Sequence, residues 1–418
     1  MIGTGVFTSL GFQLLDIQSG FVLLMLWAVG GIIALSGAMT YAELGAAMPR
    51  SGGEYNFVSR IYHPAVGFAS GWVSATVGFA GPTALAAMIF AAYALPSTDG
   101  DGNTWIHKAI ACVLIVFLTL VHASTRRNSG GLQVVFTVLK VAVIVAFCIA
   151  ALWVTDTPQP VRFMFASEDV PLLTSGAFAV SLIYVSYAYT GWNAATYLSG
   201  ELEDPQRTLP GVLMAGTAIV MLLYLALNYV FLRVAPIEDM VGQVEVGYIA
   251  ATAAFGEFGG RFTGLVLSAL LISTVSAMTV AGPRVLQVIG EDISQLRLLA
   301  KTNKDGVPAT AIYVQSGLAI LFILTSDVRS LLVFSGFILA LNSFVTVLGV
   351  YVLRYRQPEL PRPYRTFGYP VTPLIYLSLT AWTLIFVLKN ETTESLTGLG
   401  VIAVGLLVYW LFPKQASN

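Results

Sequence analysis

The sequence predicts an all-α integral membrane protein, and three observations carry that expectation. Of the 418 residues, 56% are hydrophobic and only 10% are charged, where a soluble domain carries about 25% charged residues. Apolar runs of membrane-crossing length recur along the whole chain. Two of the apolar segments are interrupted, at Ile2-Gly3-Thr4-Gly5-Val6-Phe7 and at Tyr189-Thr190-Gly191-Trp192. The formal net charge of −1 leaves no basic footprint for a nucleic-acid partner.

Each span follows from its apolar run. Residues 5–16 make only a half-span. Full spans are expected at 20–48, 65–95, 105–124, 131–154, 174–199, 209–234, 260–289, 308–325, 328–354, 371–388 and 396–412, each reaching or approaching the ~20 residues that cross a bilayer. The stretch 244–258 is too short and too polar to span, and reads as a helix packed on the outer face. The charged stretch 290–307 reads as an inner loop. Nothing reads as a soluble domain, so residues 1–418 form a single membrane domain.

Loop charge sets the orientation. With the loop after 20–48 inside, the inner set is Arg50, Arg60, Arg126, Arg127, Arg207, Arg284, Arg297, Lys301, Lys304, Arg354, Arg356, Arg362, Arg365 and Lys414, fourteen in all. Six basic residues fall outside: Lys108, Arg162, Arg233, Arg261, Arg329 and Lys389. The excess of lysine and arginine on the cytoplasmic side supports this orientation. The acidic loops around Asp99, Asp101, Glu168 and Asp169 then face outward.

A helix break exposes backbone N–H and C=O groups, which hydrocarbon tolerates only where the break lines a protein cavity. Paired breaks in corresponding segments point to a transporter's substrate site. Free N–H groups at the start of a half-helix, with the positive end of its dipole, suit a carboxylate. Gly3 and Gly5 have a competing role as small residues that let helices approach closely. The aromatic cluster Tyr187, Tyr189 and Trp192 sits at the second break.

Lys140 lies mid-helix within Phe136–Ile144, too far from either end to snorkel, and an intramembrane lysine is a functional candidate by default. Glu43 and Glu201 lie near the inner ends of their helices, where pairing with Arg50, Arg60 or other basic loop residues would form an inner gate. The alternative is a solvated pair of little weight. The Arg354–Arg365 cluster reads as an anchor at the anionic inner leaflet. Gly67 and Gly71 are spaced for close packing. Cys112 and Cys148 sit in separate apolar segments as small packing residues, and His63, His107 and His122 are scattered structural histidines. No metal-ligand cluster, phosphate loop, metalloprotease helix or nucleophile elbow occurs, so no enzyme, metal or cofactor is expected.

Five motifs in order resemble the amino acid–polyamine–organocation permeases, especially the L-type exchanger branch and its bacterial relatives. They are Tyr41-Ala42-Glu43-Leu44-Gly45, Pro49-Arg50-Ser51-Gly52-Gly53-Glu54-Tyr55 with Gly71-Trp72, Tyr189-Thr190-Gly191-Trp192-Asn193 with Gly200-Glu201 and Asp204-Pro205, and Pro358-Glu359-Leu360-Pro361-Arg362-Pro363-Tyr364 before Gly368-Tyr369-Pro370. The resemblance implies the leucine-transporter-type fold. Two inverted five-helix repeats would occupy about 1–154 and 174–355, with an appended pair at 371–412. Such proteins normally begin with a cytoplasmic tail and a half-helix before the Gly-X-Gly break. The first transmembrane helix is therefore expected to be only partly present here.

The resemblance further implies a multi-pass plasma-membrane protein (inner membrane in a bacterium). It would be a secondary active amino acid transporter working by alternating access, as a sodium-independent exchanger or a proton-coupled symporter. The substrate carboxylate would lie on the backbone at Gly3, Thr4, Gly5 and Val6, and its amino group on carbonyls at Tyr189, Thr190 and Gly191. Tyr187 would be a lid; beside it Trp192 is a candidate gating residue, with helix packing the equal alternative for Trp192 and Tyr189. Thr190, often glycine in the exchangers, would narrow the pocket. Lys140 would stand where sodium binds in sodium-coupled relatives, held by carbonyls near Ile2 and Gly3 and by Ser273, Thr274 or Ser276. Its proton either cycles or stays as a static cation. Neither cysteine lies in an outer loop, so no covalently linked partner subunit is expected. The partners are the amino acid, a proton and the lipid bilayer. Two alternatives remain at this level: a permease-like amino acid receptor, and a non-transporting truncated remnant.

Overall fold

The computed structural model of the protein describes residues 1–96, 104–124 and 129–411, without the side chains of 129–133, Leu198, Gly200 and Glu201. Asp99, Asp101, Arg126, Arg127 and Lys414 lie outside the described residues. Among those described, every regular element is helical, with no strand. In the first half the helices are α1 (Gly5–Gln13), α2 (Gly20–Ala47), α3 (Glu54–Ile61), α4 (Pro64–Val73), α5 (Ala80–Ala94), α6 (Trp105–Ser124), α7 (Ser129–Val154) and α8 (Asp169–Leu173). There follow α9 (Gly176–Tyr189), α10 (Pro205–Val234), α11 (Ile237–Met240), α12 (Val246–Ala281) and α13 (Pro283–Asp292). The chain ends with α14 (Arg297–Ala300), α15 (Ala309–Thr325), α16 (Val328–Arg356), α17 (Val371–Asn390) and α18 (Thr392–Leu411).

Nine stretches among the described residues are long and apolar enough to cross a membrane, and α9 and α15 are shorter apolar helices. Backbone groups in hydrocarbon must be paired within the segment, which is why each apolar run is helical. The expected spans therefore appear within a few residues of their places. Four details differ from the sequence reading. The span expected at 65–95 is interrupted by a π-helical turn at Ser74–Gly78. The span expected at 174–199 stops at Tyr189 and resumes as a 3-10 helix at Ala194–Glu201. The outer helix expected at 244–258 begins α12 and leaves it at Gly256, whose φ of 72° and ψ of −178° break the helical path. The inner loop expected at 290–307 carries α14 and a 3-10 turn at Ser294–Leu296.

Helix α3 is an addition. It is short, and a left-handed turn at Gly52 (φ 110°) and Gly53 (φ 53°) leads into it. Tyr55, Phe57, Val58 and Ile61 are buried, and Gly67 and Gly71 of α4 let it approach. A Cβ on Gly67 would stand 2.6 Å from the Ser59 backbone, and one on Gly71 2.7 Å from the Tyr55 ring.

Packing sets the frame of the site. The strongest helix contacts join α2 to α10 and α5 to α12, and α1 lies against α9. Gly5 makes that last approach: a Cβ there would fall 2.4 Å from the Ala188 Cα. The charged ends sort as the loop charges predict. Arg50 meets Asp292 and Arg356 meets the Ile61 carbonyl, whereas Arg162 meets Asp169 and Arg329 meets Glu391.

Candidate functional site

The second break is held by its own side chains. Thr190 donates to the Tyr187 carbonyl through both its backbone N–H (2.9 Å) and its hydroxyl (2.6 Å). Gly191 then turns the chain at φ 89°, a conformation that favours glycine. Tyr224 of α10 donates its hydroxyl to the Ala188 carbonyl at 3.1 Å, and Tyr189 donates to the Trp27 carbonyl at 3.1 Å. The Tyr187 and Ala188 carbonyls are thus already engaged. Thr190 acts first as a brace for the break, while also lining the cavity described next.

That cavity lies against the second break. Tyr189, Thr190, Gly191, Trp192 and Asn193 form one wall, with Gly30, Ile33 and Ala34 of α2 and Phe79 and Pro82 at the π-helical turn. Gly336, Leu339 and Ser343 of α16 and Tyr376 and Thr380 of α17 complete it, with Glu54 and Tyr197. Trp192 packs edge-on to Tyr41 at 4.6 Å between ring centroids and to Tyr376 at 6.3 Å.

The first break is placed differently from the sequence expectation. Gly3, Thr4, Gly5 and Val6 do not line this cavity, and neither does Tyr187. Thr4, Gly5 and Val6 are buried instead, because Gly5 seats α1 directly on the Ala188 backbone. Tyr187 is buried beside Thr4. Gly3 borders a smaller space that it shares with Ile2, Lys140 and Thr274. The two breaks therefore touch, and the open volume lies on the far side of the second.

Lys140 is buried in α7, and its Nζ donates to Thr274 Oγ1 at 2.7 Å. The ammonium thus bridges α7 and α12 beside Ile2 and Gly3. Its other expected hydroxyl partners are not partners. Ser276 Oγ lies 2.8 Å from His122 Nε2, and Ser273 Oγ is buried without a hydrogen bond. Helix periodicity explains this: residues one and two positions from Thr274 point to other faces of α12.

Glu43 is expected to pair with Arg50, Arg60 or other basic loop residues, and of these Arg50 pairs instead with Asp292 at 2.8 Å. Glu43 is fully buried and accepts a two-pronged bond from Arg354, whose Nε lies 2.8 Å from Oε1 and Nη2 2.6 Å from Oε2. Arg362 Nε stands 3.4 Å away, and the Thr366 N–H and hydroxyl each donate at 2.7 Å. The Arg354 guanidinium also lies 3.7 Å over the Tyr369 ring. This is a buried lock rather than a solvated pair. Two of the arginines expected at the lipid surface are consumed by it. Glu201 ends the 3-10 helix, and its side chain lies outside the described residues.

Sequence reasoning passed over Glu54. It begins α3 and is only 1% exposed. Oε1 accepts from the Tyr41 hydroxyl (3.0 Å) and from the Asn193 amide, while Oε2 accepts no hydrogen bond. Burial pushes its carboxyl up, and the neighbouring hydroxyls of Tyr197 and Tyr41 and the Asn193 amide pull it back. The available signal was an acidic residue directly after a Gly-Gly pair, at the start of a short mixed segment.

Apolar spans, a helix break at Thr190–Gly191 that touches the start of α1, a cavity at that break and a buried lysine beside Gly3 define a multi-pass transport protein. The comparisons with known proteins narrow that class. A family model described as amino acid permease matches residues 1–412, and the chain belongs to that family. It is 29% identical to the large neutral amino acids transporter small subunit 2 of Mus musculus, over 98% of this chain and 78% of that protein. It is 26% identical to the serine/threonine exchanger SteT of Bacillus subtilis, over 100% of this chain and 94% of that one. A third relative, the b(0,+)-type amino acid transporter 1 of Mus musculus, is 26% identical over 99% of this chain and 85% of its own length. The chain is a membrane-embedded amino acid transporter and not an enzyme.

Proposed function

We propose that the protein is a sodium-independent exchanger of neutral amino acids. The observation that carries this reading is Lys140. Its ammonium, bonded to Thr274 beside Gly3, already supplies a positive charge between the first break and α12. A sodium ion in the same space would meet that charge at close range in a low dielectric, where like charges repel strongly. The Bacillus relative, a serine/threonine exchanger by name, supports exchange of small neutral substrates.

In this mechanism α1 moves off Ala188, and the substrate carboxylate then binds the N–H groups around Gly3, Thr4, Gly5 and Val6. Its amino group binds carbonyls around Tyr189, Thr190 and Gly191. The burial of Tyr187 beside Thr4 supports a covering role for its ring, and Trp192 swings with the second break. Two inverted repeats, about 1–154 and 174–355, frame the site. The pairing of α2 with α10 and of α5 with α12 is what such a repeat produces. The group α1, α2, α9 and α10 rocks against the rest, exposing the breaks alternately to the two sides.

Cys112 lies in α6 and Cys148 in α7, so the exchanger works without a disulfide-linked partner subunit. The test is uptake of labelled serine and leucine into proteoliposomes. Exchange predicts uptake only when unlabelled amino acid is loaded inside. Uptake into empty vesicles driven by an inward proton gradient would replace exchange with proton symport.

A further inference from the structure

We propose that Glu54 is the anionic centre of a second substrate subsite, which holds the ammonium group of an amino acid between the second break and the cytoplasm. The proposal rests on the transport reading above. Among the described residues lining the cavity, Glu54 is the single charged side chain. Its Oε1 is held by Tyr41 and Asn193, and its Oε2 is buried with no hydrogen bond. The arginines nearby in sequence and fold are committed elsewhere: Arg50 to Asp292, and Arg354 and Arg362 to Glu43.

A buried carboxylate oxygen without a partner calls for a cation or a donor. The walls around it select an organic ammonium. Phe79, Trp192, Tyr197 and Tyr376 present aromatic surface to the same cavity, and ring faces attract ammonium groups. Asn193, the donor to Oε1, follows the second break directly, so motion at the break alters the carboxylate's surroundings. Glu54 follows the loop that the charge distribution places inside, which puts this subsite on the cytoplasmic side of the break.

The test uses the full chain reconstituted in proteoliposomes with defined orientation and labelled leucine as substrate. Glu54→Gln keeps the volume and the bonds to Tyr41 and Asn193 but removes the charge. It should raise KM at the cytoplasmic face by about tenfold and leave KM at the outer face unchanged. Glu54→Asp, which keeps the charge, should recover most of the inner-face affinity. Butylammonium, an ammonium without a carboxylate, should inhibit the unmodified protein from the cytoplasmic face only, a result that needs no variant to fold. Equal KM changes on both faces, inhibition by butylammonium without sidedness, or a loss of pH dependence with both KM values intact would each overturn the proposal. An unmodified protein that carries no leucine in either direction would instead refute the transport reading beneath it.

Discussion

Glu43 and Glu54 are both buried on the side assigned to the cytoplasm, yet they are neutralised in opposite ways. Glu43 is bonded on both oxygens, by Arg354 and by Thr366, with Arg362 close by. Glu54 meets only neutral donors, and on one oxygen. A buried carboxylate with cationic partners is a finished structural unit, because the charges cancel within the fold. A buried carboxylate facing a cavity with one oxygen unpartnered is unfinished, and its completion comes from whatever enters. Lys140 resembles Glu54 in this respect, a buried charge with a single hydroxyl bonded to it.

The largest expected effect breaks the finished unit. Glu43→Ala leaves the Arg354 and Arg362 side chains, 23% and 7% exposed, facing one another without a counter-charge. It should destabilise the protein by about 3 kcal/mol or more, visible as loss of folded monodisperse protein or a large drop in Tm. A stable, active Glu43→Ala protein would remove the distinction between the two glutamates. Next comes Lys140→Met, which keeps the stem and drops the charge. Exchange should slow by at least about tenfold, with a far smaller fall in Tm than for Glu43→Ala, measured by counterflow and thermal denaturation on the same samples.

The smallest effect lies at Glu54, and its sign follows from the upward push on its carboxyl. The folded protein holds that proton more tightly than the unfolded chain. Stability is therefore lost as pH rises from the unfolded value, near 4.3 for glutamate, through the folded one. Glu54→Gln removes the penalty. It should raise stability by on the order of one kcal/mol at alkaline pH and leave it nearly unchanged at acid pH. Melting curves across pH check this. A Gln variant that is less stable at every pH would show Glu54 to be as structural as Glu43.

Much of this fold was legible because hydrocarbon leaves the backbone few choices. Apolar length alone located α2, α6, α7, α10, α16 and α17 within a few residues. The breaks were legible because glycine next to threonine inside an apolar run has few other uses. The Lys140 contact to Thr274 was legible through resemblance, though Ser273 and Ser276 were not separable from Thr274 before the face of α12 was known. Helix α3 escaped because eight mixed residues carry no span signal, and its burial depends on Gly67 and Gly71 of another helix. Which basic residues pair with Glu43 was not legible, because Arg354 and Arg362 lie more than three hundred residues away in sequence, where charge counting sees only a cluster near the inner leaflet. The separation of the first break from the cavity escaped because it turns on one packing detail, the absent Cβ of Gly5 against Ala188.

Sodium dependence tests the central claim most directly. Counterflow of labelled leucine into proteoliposomes loaded with unlabelled leucine would be measured in sodium chloride and again with choline replacing all sodium. With Lys140 as the resident cation, the two rates should agree within error, and Lys140→Met should be slow in both media. A rate that falls to background in choline would contradict the account.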